Sequence, residues 1–395
     1  MRYVTRFLGL LALSLMLSLG WSEGVGGQGG TGGTAGTGGM AGTGGTVGFP
    51  CTEQGIRDAI AEGGGPHTFD CDGPTTVVTT ETIGVDNEVI LDGGGNLTVD
   101  GNQQPFVHVF GVGPGGVLEL RNFVITGAGT HGIASDGTVV LDGCVISANL
   151  ERGIENAVEY GDNPTLTVLN STISGNGRAG IINLGGTVTV VNSTISDNLG
   201  QDGDSGGIVN DGTLTVISST LSGNAESNIH LTGDAPSTTM KNSIMDGSCL
   251  IDGNLAVVTS LGYNIESPGN TCGFDQTGDQ VNVTAEQLNL GPLQDNGGPT
   301  MTHALGAGSV AIDQIPAEDC VDADGQPLTT DQRGFARDSM CDVGAYEFDA
   351  QEPPPSGSSG GCGCSIVRRE DSAGAWLLAV LMLVGIRRVC RKKGS

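Results

Sequence analysis

The sequence predicts an all-β fold, a single-stranded parallel β-helix solenoid closed by a short N-terminal capping helix, and three observations predict it. A degenerate rung recurs down the middle of the chain: Gly-Ile-x-Asn, a turn, a Thr-Leu-Thr-Val-like run, then Asn-Ser-Thr-Ile-Ser-x-Asn, most clearly from Gly180 to Asn198 and from Gly207 to Asn224. The Gly-Ile steps at Gly132, Gly153, Gly180 and Gly207 stand 21, 27 and 27 residues apart, the length of a coil carrying two or three short strands. Strand formers fill the runs between them, as in Thr138–Leu141, Leu166–Leu169, Thr187–Val191 and Thr213–Ile217.

Taken in order, residues 1–20 read as a secretory signal peptide: an apolar stretch from Phe7 to Gly20 behind Arg2 and Arg6, with Ser18-Leu19-Gly20 as the cleavage triplet. Residues 21–48 are a disordered Gly/Thr-rich linker with no apolar periodicity. The β-helix is expected over 49–285. Along the coils every second residue points inward and stacks on its counterpart about 4.8 Å away. The same geometry lets Asn149, Asn176, Asn198 and Asn224 form an internal amide ladder. The 70 Gly are assigned to corners that need positive φ. Asn96, Asn170, Asn192 and Asn282 open Asn-x-Thr tripeptides, which could also be glycosylation acceptors, although two of them belong to the repeat.

Ten Cys in an exported chain imply an oxidising compartment. Cys51 with Cys71, Cys249 with Cys272 and Cys320 with Cys341 each bracket a non-repetitive stretch and are candidates for three local disulfides; Cys144 is left over as a buried thiol. The formal charge is −28. Of the 16 basic residues two lie in the leader and seven in the tail, leaving seven against 42 acidic ones, a balance that excludes nucleic acid as a partner.

Cys51-Thr52 followed by Ile56-Arg57-Asp58-Ala59-Ile60, and the later Val89-Ile90-Leu91-Asp92-Gly93-Gly94-Gly95, make residues 51–250 resemble right-handed parallel β-helix proteins of the pectin-lyase-like superfamily. The resemblance implies that residues 52–62 are a short helix capping the core, with Ile56, Ala59 and Ile60 inward, where the first coil would otherwise present an open sheet edge. The block from Leu290-Gly291-Pro292-Leu293-Gln294-Asp295-Asn296-Gly297-Gly298-Pro299 through Asp331-Gln332-Arg333-Gly334 to Cys341-Asp342-Val343-Gly344-Ala345-Tyr346-Glu347-Phe348 resembles the choice-of-anchor Q module, placed at 286–350. In it Arg333 and Arg337 are expected to pair with Asp331, Asp338, Asp342 or Glu347. After a Pro/Gly/Ser linker at 351–361, residues 362–395 resemble the MYXO-CTERM sorting signal: Cys362 and Cys364, an apolar segment 373–386, then a basic end. Fourteen helical residues reach only about 21 Å, against about 30 Å of hydrocarbon. The resemblance implies a sorting protease as partner, a transient inner-membrane anchor through the C-terminal segment, and display on the cell surface of a Gram-negative bacterium.

For chemistry, a lyase needs a base and a group that stabilises an anion, and a glycosidase needs two carboxyls. The best candidates lie in turns before the Gly-Ile steps: His131, Arg152, Arg178, Asp202 and Asp204. His131 and Arg152 are in register, but the next coils offer Ala179 and Gly206. The polygalacturonase-family motifs Asn-Thr-Asp, Asp-Asp, Gly-His-Gly and Arg-Ile-Lys are missing as a set. No cofactor is implied, and Asp322-Ala323-Asp324-Gly325 and Asp202-Gly203-Asp204 suggest at most weak Ca²⁺ binding. The reading is a non-catalytic surface protein for adhesion or matrix contact, with a polysaccharide or cell-surface ligand; the alternative is a polysaccharide lyase or glycoside hydrolase.

Overall fold

The computed structural model describes residues 48–158, 163–201, 205–252 and 255–352. The signal peptide, the linker up to residue 47, Asp202, Asp204, the sorting motif Cys362 and Cys364, and segment 373–386 lie outside the described residues.

Short runs of β-branched residues favour extended backbone, and each run pairs in parallel with the equivalent run of the next coil. Three faces result. The Gly-Ile face is an eight-stranded sheet running from Ile83–Val85 through Phe110–Val112, Ile133–Ser135, Ile154–Ala157, Ile181–Leu184, Ile208–Asn210 and Ile229–Leu231 to Cys249–Ile251. The Thr face stacks Thr138–Asp142, Thr165–Leu169, Thr187–Val191, Thr213–Ile217, Ser237–Lys241 and Val257–Ser260. The Ser face stacks Val145–Ser147, Thr172–Ser174, Thr194–Ser196, Thr220–Ser222, Ile244–Asp246 and Ile265–Ser267. Register is strict across every one of these pairs, so inward side chains form continuous columns such as Ile133, Ile154, Ile181, Ile208 and Ile229, all fully buried. Each such side chain contributes about 1.5–3 kcal/mol by leaving water.

Polar ladders run beside the apolar columns. Asn149 Nδ2 donates to Asn176 Oδ1, Asn176 to Asn198 and Asn198 to Asn224, each at 2.9 Å. The same oxygens accept the backbone N–H of the preceding Asn at 3.1–3.2 Å. The repeat also builds two ladders not foreseen from the sequence. Asn156, Asn183 and Asn210 link through 2.8 Å amide bonds under the Gly-Ile face. The Oγ atoms of Ser171, Ser193, Ser219 and Ser243 each accept an N–H from the coil before. Cys144 stands at the head of this Ser column, its N–H donating to Ser171 Oγ at 2.9 Å.

The role assigned to glycine needs correction at the Gly-Ile step. Gly132, Gly153 and Gly180 are outside the positive-φ region; a Cβ there would meet the ladder amides of Asn149, Asn176 and Asn198 at 2.9, 2.9 and 2.8 Å. Space, not conformation, selects them. The left-handed corner between the Thr and Ser faces is taken by Gly143 at φ 63°, as expected of glycine, and in the following coils by Asn170, Asn192, Ser218 and Asn242, with φ of 49°, 53°, 46° and 56°. This explains the Asn of Asn-Ser-Thr, and Asn192 is buried beneath Arg337, which leaves no room for a glycan there.

Both ends of the solenoid are closed. The helix Glu53–Glu62 starts at Thr52, whose side chain accepts from Gly55 N–H, and lays Ile56, Ala59 and Ile60 on the first coil. Cys51–Cys71 fastens this cap, and Cys249–Cys272 fastens the segment that plugs Phe274 into the far end of the core. Beyond it, residues 285–348 form a short helix Ala285–Leu288, an antiparallel pair Leu290–Gln294 with Thr302–Leu305, and a loop held by Cys320–Cys341. This segment folds back along the Ser face. Thr172 Oγ1 donates to Met301 O at 2.6 Å, Thr194 Oγ1 to Gln332 Oε1 at 2.6 Å, and Ala345 N–H donates to Thr220 Oγ1 at 3.1 Å. The three disulfides match the expected pairs.

Two outcomes follow. Asn176→Ala leaves the N–H and Nδ2 of Asn149 without their acceptor, and each orphaned group costs about 1–3 kcal/mol; denaturant unfolding should show a lowered midpoint. Burial pushes the Cys144 thiol up to about 12, so in native protein it should resist alkylation at neutral pH and react only once the chain is unfolded.

Candidate functional site

Strand side chains alternate between the core and the outside, so the outward residues of the Gly-Ile face form one column: Gly84, Gly111, Ala134, Glu155, Ile182, Val209, His230 and Leu250. The first three carry little or no side chain. Where they meet the bulkier Glu155 the surface steps down into a cleft of about 320 Å³, lined among others by Asp86, His108, Gly111, Ala134, Asp136 and Glu155. Glycine in a strand interior often marks a place where something approaches the backbone closely.

The wall of the cleft is built by a second column, three residues earlier in each coil. The register of Phe110, Ile133 and Ile154 places His108, His131 and Arg152 one above another. The rings of His108 and His131 stack with centroids 5.1 Å apart and planes 20° from parallel. Thr130 Oγ1 lies 2.8 Å from His108 Nδ1, so Nε2 is the nitrogen left to meet a ligand. Glu155 Oε2 lies 3.2 Å from His131 Nε2 and 3.3 Å from Arg152 Nη1. The hydrogen bond from His131, aided by the charges of His131 and Arg152, holds the Glu155 carboxyl below the usual range against the opposing effect of burial. Burial, and next the charge of His131, push the His108 imidazole down.

Of the residues singled out in the sequence, His131 and Arg152 therefore meet at Glu155, while Arg178 sits one coil on, its N–H donating to Glu151 O at 2.7 Å. Sequence reasoning missed His108, Glu151, Glu155, Asp86 and Asp136. His108 escaped because its coil carries Val109-Phe110 in place of Gly-Ile, which removed the landmark on which the coils were aligned. Glu155 was legible as the outward residue after Gly153-Ile154.

A second hollow, of about 450 Å³, lies between the Thr face at Thr167, Leu169, Thr189 and Val191 and the loop carrying Asp322, Asp324 and Leu328. Asp322 Oδ1 accepts the N–H groups of Asp324 and Gln326 and so caps its own turn. Among the described residues no three His, Cys, Asp or Glu converge as a metal site. Arg333 and Arg337 are structural: Arg333 pairs with Asp331 at 2.6 Å between the rings of Phe335 and Tyr346, and Arg337 pairs with Glu347 at 3.1 Å and donates to Asn192 Oδ1 at 2.9 Å.

The lowered Glu155 pKa gives a pH test. Its contribution to stability is complete above the ordinary glutamate pKa, about 4.3, and is lost as pH falls through the lowered value. Wild type and Glu155→Gln should thus differ in melting temperature at neutral pH and converge in acid.

Residues 89–284 match the family model for a right handed beta helix region. Among solved structures, a crystal structure of pectate lyase Pel9A aligns with 74% of this chain and 90% of its own at 13% identity and a TM-score of 0.41. No curated protein matches the chain. Strand order, register and family match agree: this is a right-handed parallel β-helix protein.

Proposed function

We propose that this is an exported, surface-displayed β-helix that holds an extended polymer against its flank rather than cleaving it. The observation that carries the reading is the Thr face. Thr165, Thr187, Thr213 and Ser237 form one outward column, and Thr167, Thr189, Thr215, Thr239 and Thr259 a second. All of them are partly or fully exposed. Across five coils these two columns hold no charge in a chain of net charge −28. Thr is stiff at χ1, so the hydroxyls and methyls are presented at fixed intervals with little entropy left to lose on binding. The C-terminal segment covers the Ser face and reaches this one only with the loop at Asp322–Leu328, which flanks Thr167 and Thr189.

Export is supported by three disulfides, which persist in oxidising compartments. Among the described residues no helix is long and apolar enough to cross a membrane. Display rests on the resemblance of 286–350 to choice-of-anchor Q and of 362–395 to the MYXO-CTERM signal, with a sorting protease acting there. The second reading, a polysaccharide lyase or glycoside hydrolase, draws on the His108, His131, Glu155 and Arg152 cluster beside its cleft.

Surface biotinylation of cells producing the full chain should label the β-helix. Changing Cys362 and Cys364 to Ala should leave it unlabelled and in the inner-membrane fraction; unaltered labelling would refute the sorting. Incubation of the purified protein with uronic-acid and neutral polysaccharides should release no new ends. Unsaturated or reducing ends that disappear in His131→Ala or Arg152→Ala would replace the binding reading with the enzymatic one.

A further inference from the structure

Ice offers a protein no charge and no pocket, only water oxygens held at fixed repeats, so a surface that binds it has to be regular, rigid and uncharged. The Thr face meets the first condition through its register. Thr165 and Thr167, Thr187 and Thr189, Thr213 and Thr215, and Ser237 and Thr239 each share a strand, the pairs follow one another from coil to coil without a shift, and Thr259 extends one column. Side chains two apart on a strand stand about 6.6 Å from each other, and neighbours on adjacent strands about 4.8 Å. The result is a rectangular grid of nine hydroxyls.

Rigidity has two sources. Branching at Cβ restricts χ1 of each Thr, and the Asn and Ser ladders tie the coils together; side-chain ladders of this kind oppose the twist of a sheet. Among the described residues only one of the nine hydroxyls bonds within the chain, Thr165 Oγ1 donating to Thr138 Oγ1 at 3.1 Å. The outward Thr of the Ser face differ, since Thr172, Thr194 and Thr220 are all engaged by the C-terminal segment. The grid is therefore left to water. It carries no charge in a chain of net charge −28, which matches a neutral lattice; a charged side chain would hold a hydration shell of its own in place of an ice-like one. The loop at Asp322–Leu328 flanks the grid at Thr167 and Thr189, and the more exposed column is the other one, at Thr187, Thr213 and Ser237.

We propose that the Thr face adsorbs to ice. The repeats of the grid lie close to those between equivalent oxygens along the two axes of hexagonal ice, so water bound to successive hydroxyls sits where a crystal layer can continue it. The methyl groups restrict the orientations of that water further. This activity goes beyond polymer binding and shares with it only the face.

Ice grown slowly in a dilute solution of the purified full-length protein should take the protein up, whereas a globular protein of similar net charge stays in the liquid. Thr213→Lys and Thr215→Lys, each placing a charge in the middle of the grid, should be excluded from the ice with the melting temperature unchanged. Leu199→Lys adds the same charge on a turn off the grid, where Leu199 is 53% exposed, and should be taken up like wild type. The proposal is overturned if wild type is excluded from ice, if the folded Thr213→Lys and Thr215→Lys variants are still taken up, or if Leu199→Lys is excluded as well. The polysaccharide incubations contain no ice, so polymer binding stands or falls by its own test.

Discussion

The central coils of this solenoid depend on one interaction, an asparagine ladder lying in space that glycine leaves free. Asn149, Asn176, Asn198 and Asn224 pass a hydrogen bond from coil to coil, and Gly132, Gly153 and Gly180 make the space in which the amides lie. A buried amide is costly unless satisfied, and here each internal one is satisfied only when the next coil is in the same register. The two landmarks of the repeat, Gly-Ile and the terminal Asn, are therefore two sides of one interaction. The ladder works as a gauge: a coil displaced by one residue would break the amide bond and turn its apolar residues outward together.

Strict register is also what gives the surface its organisation. A residue's neighbours outside are its counterparts one coil away, so function is written in columns. On the Thr face two columns are almost entirely threonine and carry no charge. On the Gly-Ile face the column changes character, from Gly84, Gly111 and Ala134 to Glu155 and then to buried Ile182 and Val209. The cleft lies at that change. Uniform and interrupted columns thus give different surfaces within one fold.

The third face shows how the repeat accommodates a non-repetitive neighbour. Thr172, Thr194 and Thr220 point away from the core yet are almost inaccessible, because their hydroxyls bond Met301, Gln332 and Ala345. Gln332 alone donates to Thr172 Oγ1 and Thr300 Oγ1, both at 2.9 Å. The acidic, loop-rich C-terminal segment builds a small second core onto Ile244 and Ile265 of the β-helix, and its buried Asp331–Arg333 and Arg337–Glu347 pairs are held by backbone and ring contacts on several sides. Buried ion pairs demand such completion. Arg337 reaches past its carboxylate to Asn192 of the β-helix, which joins the two parts into one body.

Much of this was legible in the chain itself. Alternation, coil length and the recurring Asn determined the solenoid and its inward residues; the resemblance of Cys51–Ile60 to an entry motif pointed to the cap; and Cys spacing around non-repetitive stretches offered candidate disulfides whose pairing the fold then fixed. All of these are local or strictly periodic, and periodicity reports whether a residue faces in or out. It does not report what lies against an outward residue. That Thr172 is buried by a segment 129 residues further on, and that Asn192 is closed over by Arg337, depended on where a distant stretch comes to rest. Likewise His108 joins His131 only because a coil lacking the Gly-Ile landmark still stacks in register, held by backbone hydrogen bonds that do not depend on side-chain identity.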